Sequence, residues 1–150
     1  MNQDPVTTPS PMTPEDVDRL VESGFPAAYA SGYRCEEMGR RWATARWTYD
    51  PASLRPGGYI SGPTLFGLAD LAFWFATFTE LGPAPMAVTS ELSIAFLRPA
   101  LGGDVLGRAE LLAVGRTRIY GEIRMWVDGA SERLVAHATG SYSPPPNLPM

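Results

Sequence analysis

The sequence predicts an α+β domain in which a curved antiparallel β-sheet of five to six strands wraps around one long central helix. Three observations lead there. A mid-chain segment of about twenty residues is apolar on every side, so it should be buried on every side. The segments around it alternate apolar and polar residues with period two, the mark of an antiparallel sheet with one solvated face. The apolar faces of the later strands are often small (Gly107, Ala109, Gly121, Ala136, Ala138, Gly140), whereas the helix carries Phe66, Phe73, Trp74, Phe75 and Phe78, so the two surfaces can interdigitate.

The elements follow in order. Residues 1–12 are rich in Pro and Thr and lack the basic and apolar regions of a signal peptide. They and the Pro-rich tail 143–150 are expected to be disordered, which leaves one domain over 13–142. A length of 150 residues suits a single core. Thr13 can cap a short helix, with Pro14 at its first position, acids in its first turn and Gly24 at its end. The central helix runs over about 62–81, from Ser61-Gly62-Pro63 to the stop at Gly82-Pro83. Strands are expected where Ala43, Ala45 and Trp47 alternate, where Val88, Leu92, Ile94 and Phe96 alternate against Thr89, Glu91 and Ser93, over Asp104 to Gly115 with Val105, Ala109, Leu111 and Ala113 on one face, around Ile119 to Val127, and from Leu134 to Tyr142. A shorter sixth strand fits near Tyr33 to Met38. A helix lying on an open sheet is the alternative architecture.

Charge and cysteine usage exclude several function classes. Net charge is -4 and all 12 basic residues are Arg, which argues against a general nucleic-acid binder but leaves local anion sites open. The longest apolar run, Leu71 to Ala76, is too short to span a membrane. Cys35 and His137 are single, so a disulfide framework is excluded and a Cys/His zinc site nearly so. No metal is expected, and a reducing, cytoplasmic location fits.

Asp70 is the residue that needs explaining. Its helical neighbours are Phe66, Gly67, Phe73 and Trp74, with no polar stripe to join. A carboxylate there is either functional, paired with an Arg of the sheet, or exposed at a subunit seam. The free N–H groups at the helix start offer an anion or oxyanion site, with Gly62 allowing close approach. Gly62 and Asp70 are separated by ~12 Å along one helix, at ~1.5 Å per residue. One helix can hardly bring both within reach of one reacting carbonyl. Two antiparallel copies about a twofold axis could, so a catalytic role for the pair requires a dimer.

Over about residues 37–142 the chain resembles the PaaI-like hotdog thioesterases. The resemblance is carried by Gly58, Ser-Gly-Pro at 61–63, Leu-Ala-Asp at 68–70, the run from Val88 to Ala100 with its Phe-Leu-Arg-Pro-Ala end, Gly115-Arg116, and Val-Ala-His-Ala-Thr-Gly-Ser-Tyr at 135–142. It implies hydrolysis of an acyl-CoA thioester, with Asp70 as nucleophile or general base, the Gly62 N–H on the thioester oxygen, and Thr89 holding the lytic water. It also implies a dimer or a dimer of dimers, with no cofactor beyond the CoA of the substrate. Two departures stand out: the family's His-Gly-Gly reads Ser61-Gly62-Pro63, and the Asn six residues before that His is Arg55.

Ser61 and Arg55 are therefore candidate substrate contacts, together with Arg98 and Arg116 for CoA phosphates and Phe73 and Trp74 for an acyl pocket. Each also has a plainer reading, as surface arginine or core aromatic. His137 should face solvent or an interface, and Cys35 should be structural. The rival functions are a hotdog dimer that binds acyl-CoA or another hydrophobic carboxylate without turnover, and a dehydratase or isomerase, which would need a His near the helix.

Overall fold

The computed structural model describes residues 11–146. The expected disordered residues 1–10 and 147–150 lie outside them. Ser143, assigned to the tail by its prolines, instead ends the last strand.

Helix α1 spans Pro14–Gly24 and is closed by a full capping box between Thr13 and Asp16. Val17 and Val21 point into the core. The short helix α2, Pro26–Ala30, was not evident in the sequence; Phe25 is both the end of α1 and the start of α2. Six strands follow: β1 (Tyr33–Gly39), β2 (Trp42–Trp47), β3 (Val88–Phe96), β4 (Val105–Val114), β5 (Ile119–Val127) and β6 (Leu134–Ser143). They form one antiparallel sheet in the order β1-β2-β4-β5-β6-β3. Helix α3, Gly62–Leu81, is inserted between β2 and β3 and packs against the sheet's inner face. This is the hotdog architecture, and the open-sheet alternative is discarded.

The expected large-on-small packing is realised. A Cβ added at Gly121 would lie 3.1 Å from the Phe73 ring, and one at Gly107 would lie 3.2 Å from Leu68. The Gly121 position would also bring a Cβ within 2.7 Å of the Glu110 carbonyl oxygen, which is strand backbone and cannot swing away. Gly121→Ala is therefore expected to lower unfolding stability by about 1–3 kcal/mol, read as an earlier urea midpoint at fixed protein concentration.

Burial of α3 is less uniform than its composition suggests. From Leu71 to Phe78 every residue is buried, but Phe66 in the second turn is 40% exposed. The helix therefore emerges from the sheet at its N-terminal end.

Of the four register shifts in the sheet among the described residues, two change which residues face inward near the helix. In β4 the register shifts between Leu111 and Ala113, so Ala113 pairs with exposed Tyr120 and leaves the inner face where sequence had placed it. In β3 the shift falls between Thr89 and Glu91. Leu92 opposes Gly140 and faces inward; Thr89 opposes Tyr142 and so lies on the same face, its hydroxyl toward α3 although the residue stays exposed, and Val88 is left 59% exposed.

Candidate active site

The site is built around the middle of α3. Asp70 is half-buried at the edge of the apolar stretch, one turn before Trp74. Among the described residues, no arginine pairs with its carboxylate. Thr89 donates its hydroxyl proton to Asp70 Oδ1 at 2.6 Å. The Tyr142 hydroxyl lies 2.6 Å from the same Oδ1 and 2.9 Å from the Asp70 carbonyl oxygen, and its single proton is shared between these two acceptors. Thr89 and Tyr142 oppose one another across the β3–β6 pair, so the β3 bulge is what brings the hydroxyl to the acid. With Oδ1 engaged by two donors, Oδ2 is the oxygen left for chemistry.

Burial, and then the neighbouring Asp70 charge and its hydrogen bond, push the Tyr142 phenol far above its usual pKa. Tyr142 therefore stays a donor throughout the neutral range. Its ring stacks on Phe73 with centroids 4.8 Å apart. Reading sequence alone placed Tyr142 on the apolar face of the last strand and missed its hydroxyl. The available signal was that a buried tyrosine needs a partner for its O–H.

A cleft of about 580 Å³ opens beside Asp70, with Leu20, Phe25, Trp74, Met86 and Thr89 among its walls. A second, of about 680 Å³, lies at the other end of the exposed helix face and includes Gly62, Arg55, Phe96 and Arg98. Gly62 is the first residue of α3, so its N–H has no intrahelical acceptor. Pro63 contributes no donor, and the Thr64 N–H is taken by the Ser61 hydroxyl at 3.2 Å. Arg55 sits in a turn in which Gly57, at φ 88°, follows Pro56 and the Gly58 N–H returns to the Arg55 carbonyl at 3.1 Å. Arg98 donates one bond to the Leu134 carbonyl at 2.8 Å.

The remaining candidates are distributed unevenly. Trp74 does line the Asp70 cleft. Phe73 does not: it is fully buried between Tyr142 and Gly121, and supports the site from beneath. Ser61 caps α3, and its hydroxyl is shared between the Thr64 N–H and the Thr64 hydroxyl, so it serves the helix rather than either cleft. Arg116 stands in the β4–β5 turn and lines neither cleft. His137 faces outward beside Glu122, 3.3 Å away. Cys35 is buried, its thiol pKa raised chiefly by that burial, as a structural residue would be.

One antiparallel sheet wrapped around a long helix defines the hotdog fold, and the half-buried carboxylate held by two strand hydroxyls is its candidate reactive group. Comparison with known proteins agrees. The Thioesterase superfamily profile matches residues 57–133, and the chain belongs to that family. Among solved structures, a protein of Silicibacter sp. TM1040 that carries a thioesterase designation is 34% identical, with 90% of this chain and 93% of that one covered and a TM-score of 0.81. A mutant form of the Thermus thermophilus phenylacetic acid degradation protein PaaI is 26% identical over 80% and 99% of the two chains, with a TM-score of 0.69. The Escherichia coli PaaI protein from the phenylacetic acid degradation operon shares the fold at 24% identity, over 85% and 89%, with a TM-score of 0.74. No curated protein matches the sequence significantly. The chain is thus a PaaI-like member of a family of thioester hydrolases.

Proposed function

We propose that the protein hydrolyses acyl-CoA thioesters at two equivalent sites formed between two copies of the chain. The observation that carries this reading is the split of the machinery along one helix. The acid and its two hydroxyls stand in one cleft and the free helix N–H in the other, ~12 Å apart along α3 at ~1.5 Å per residue.

β3 supports the dimer. It is an edge strand, paired on one side only with β6, and it exposes Val88 and Phe96. Its Thr89 end stands at the Asp70 cleft and its Phe96 end at the Gly62 cleft. Antiparallel pairing of two β3 edges about their midpoint sets the Thr89 end of one chain beside the Phe96 end of the other. Asp70 of each copy then faces Gly62 of its partner.

In the assembled site Asp70 Oδ2 takes a proton from water, or attacks the thioester carbonyl itself. Thr89, whose proton is committed to Oδ1, keeps lone pairs to accept from that water. The partner's Gly62 N–H meets the developing oxyanion. When the C–S bond breaks, CoA leaves as thiolate and takes up the proton that Asp70 removed from water, and the acyl group departs as the acid. On the nucleophilic route the acyl group first stays on Oδ2 as a mixed anhydride, which water then hydrolyses to free acid and the Asp70 carboxylate. The Gly62 cleft holds Arg55 and Arg98, suited to CoA phosphates, whereas Asp70 is, among the described residues, the only charged one lining the other cleft, which suits the acyl group.

The test is thiol release from short, medium, long and aryl acyl-CoAs by native protein and by Asp70→Asn. Tight binding without thiol release, in a folded dimer, would instead establish a binding protein. A smaller effect is expected at Tyr142. Tyr142→Phe keeps the stack on Phe73 and removes one donor from Oδ1, so kcat should fall about tenfold with KM nearly unchanged. An unaltered kcat would show that Thr89 alone suffices to orient the acid.

A further inference from the structure

The Asp70 cleft has an outer wall that the chemistry at the carboxylate does not use. One side is Phe25, at the corner between α1 and α2; the other is Met86, in the segment leading into β3. Both are large and apolar, yet they are 48% and 74% exposed and contribute little to the core.

The Phe25 corner is firmly held. The Phe25 N–H donates to the Val21 carbonyl at 2.8 Å, its carbonyl accepts from the Ala28 N–H at 3.1 Å, and Pro26 fixes the first position of α2. The fold therefore keeps a phenyl ring over the cleft at the cost of leaving it half in water. Leu20 and Trp74 continue the same apolar surface toward Asp70. No cation lines this cleft among the described residues.

We propose that Phe25 and Met86 form the distal wall of the acyl pocket, and that they set the length of an uncharged acyl group. This rests on the thioesterase reading given above. An acyl chain entering past Asp70 would run along Leu20 and Trp74 and stop against the two side chains. A chain ending in a second carboxylate would find no cation there, would have to lose water without a partner, and would add a like charge near Asp70.

The test is kcat/KM for a straight-chain series from acetyl-CoA to palmitoyl-CoA, with adipoyl-CoA set against hexanoyl-CoA. Native protein is compared with Phe25→Ala, Met86→Ala, Phe25→Trp and the control Leu112→Ala, which alters an exposed residue of the β4 bulge. Both alanine variants should move the optimum to longer chains and raise the long-to-short ratio about tenfold or more. Phe25→Trp should move it to shorter chains, which a damaged fold would not do. Leu112→Ala should keep the native profile, and adipoyl-CoA should be at least about tenfold poorer than hexanoyl-CoA. An unchanged profile in all three wall variants, with the dimer intact, overturns the proposal. If native protein turns over no acyl-CoA, hydrolysis is refuted, and the wall is then judged by calorimetric affinity for the same series. A shifted length dependence upholds it and an unshifted one overturns it.

Discussion

Asp70→Asn should lower kcat by at least about a hundredfold on the best acyl-CoA substrate, with a folded protein and little change in KM. The size follows from the range that a positioned acid or base contributes, about 10²–10⁴. The substitution is selective because the amide oxygen can still accept from Thr89 and Tyr142 at the place of Oδ1. The amide nitrogen replaces Oδ2, and neither takes up a proton nor attacks a carbonyl. Steady-state thiol release, checked against urea unfolding of both proteins, measures it. Retention of native turnover by Asp70→Asn would remove the acid from the mechanism altogether.

Gly62→Pro should cost about as much, for a different reason. Proline at the first helical position removes the one N–H that the site offers and leaves the helix start otherwise acceptable. Loss of an oxyanion donor commonly lowers kcat by about 10²–10³. Gly62→Ala is the matched control. It keeps the N–H, and its Cβ would stand 3.4 Å from the Phe96 ring, close to ordinary contact, so it should stay within severalfold of native. Equal losses in the two variants would mean that space at Gly62 matters and the N–H does not.

The two inactive variants together test the shared site. Random re-pairing of Asp70→Asn with Gly62→Pro chains makes half of the dimers mixed, and each mixed dimer holds one intact site of two. About a quarter of native activity should return. If acid and donor acted within one chain, no mixture would recover any.

Much of this was legible in the chain. The caps at Thr13 and Ser61, the stop at Gly82 and the apolar run of α3 act through neighbours a turn away, so local sequence determined where α1 and α3 begin and end. Alternation likewise located the strands, since period two is a property of the strand itself. Asp70 stood out because a charge among aromatics conflicts with its surroundings, and Gly62 because a helix start leaves its N–H free.

Tertiary structure decided which side chains share the site. Residue spacing placed Thr89 on the solvent face of β3; the bulge at Ser90 turned it inward and gave its hydroxyl to Asp70. A bulge is a mismatch between two strands, so one strand's pattern does not announce it. The Tyr142 hydroxyl, the burial of Phe73 beneath it and the Phe25 corner over the cleft arise from pairing and packing between segments far apart in sequence. Sequence by itself determined helices α1 and α3, the strands and the candidate acid, but not α2. The contacts that orient the acid, and the wall opposite it, came from long-range packing, because a side chain's partners depend on where the rest of the chain is placed.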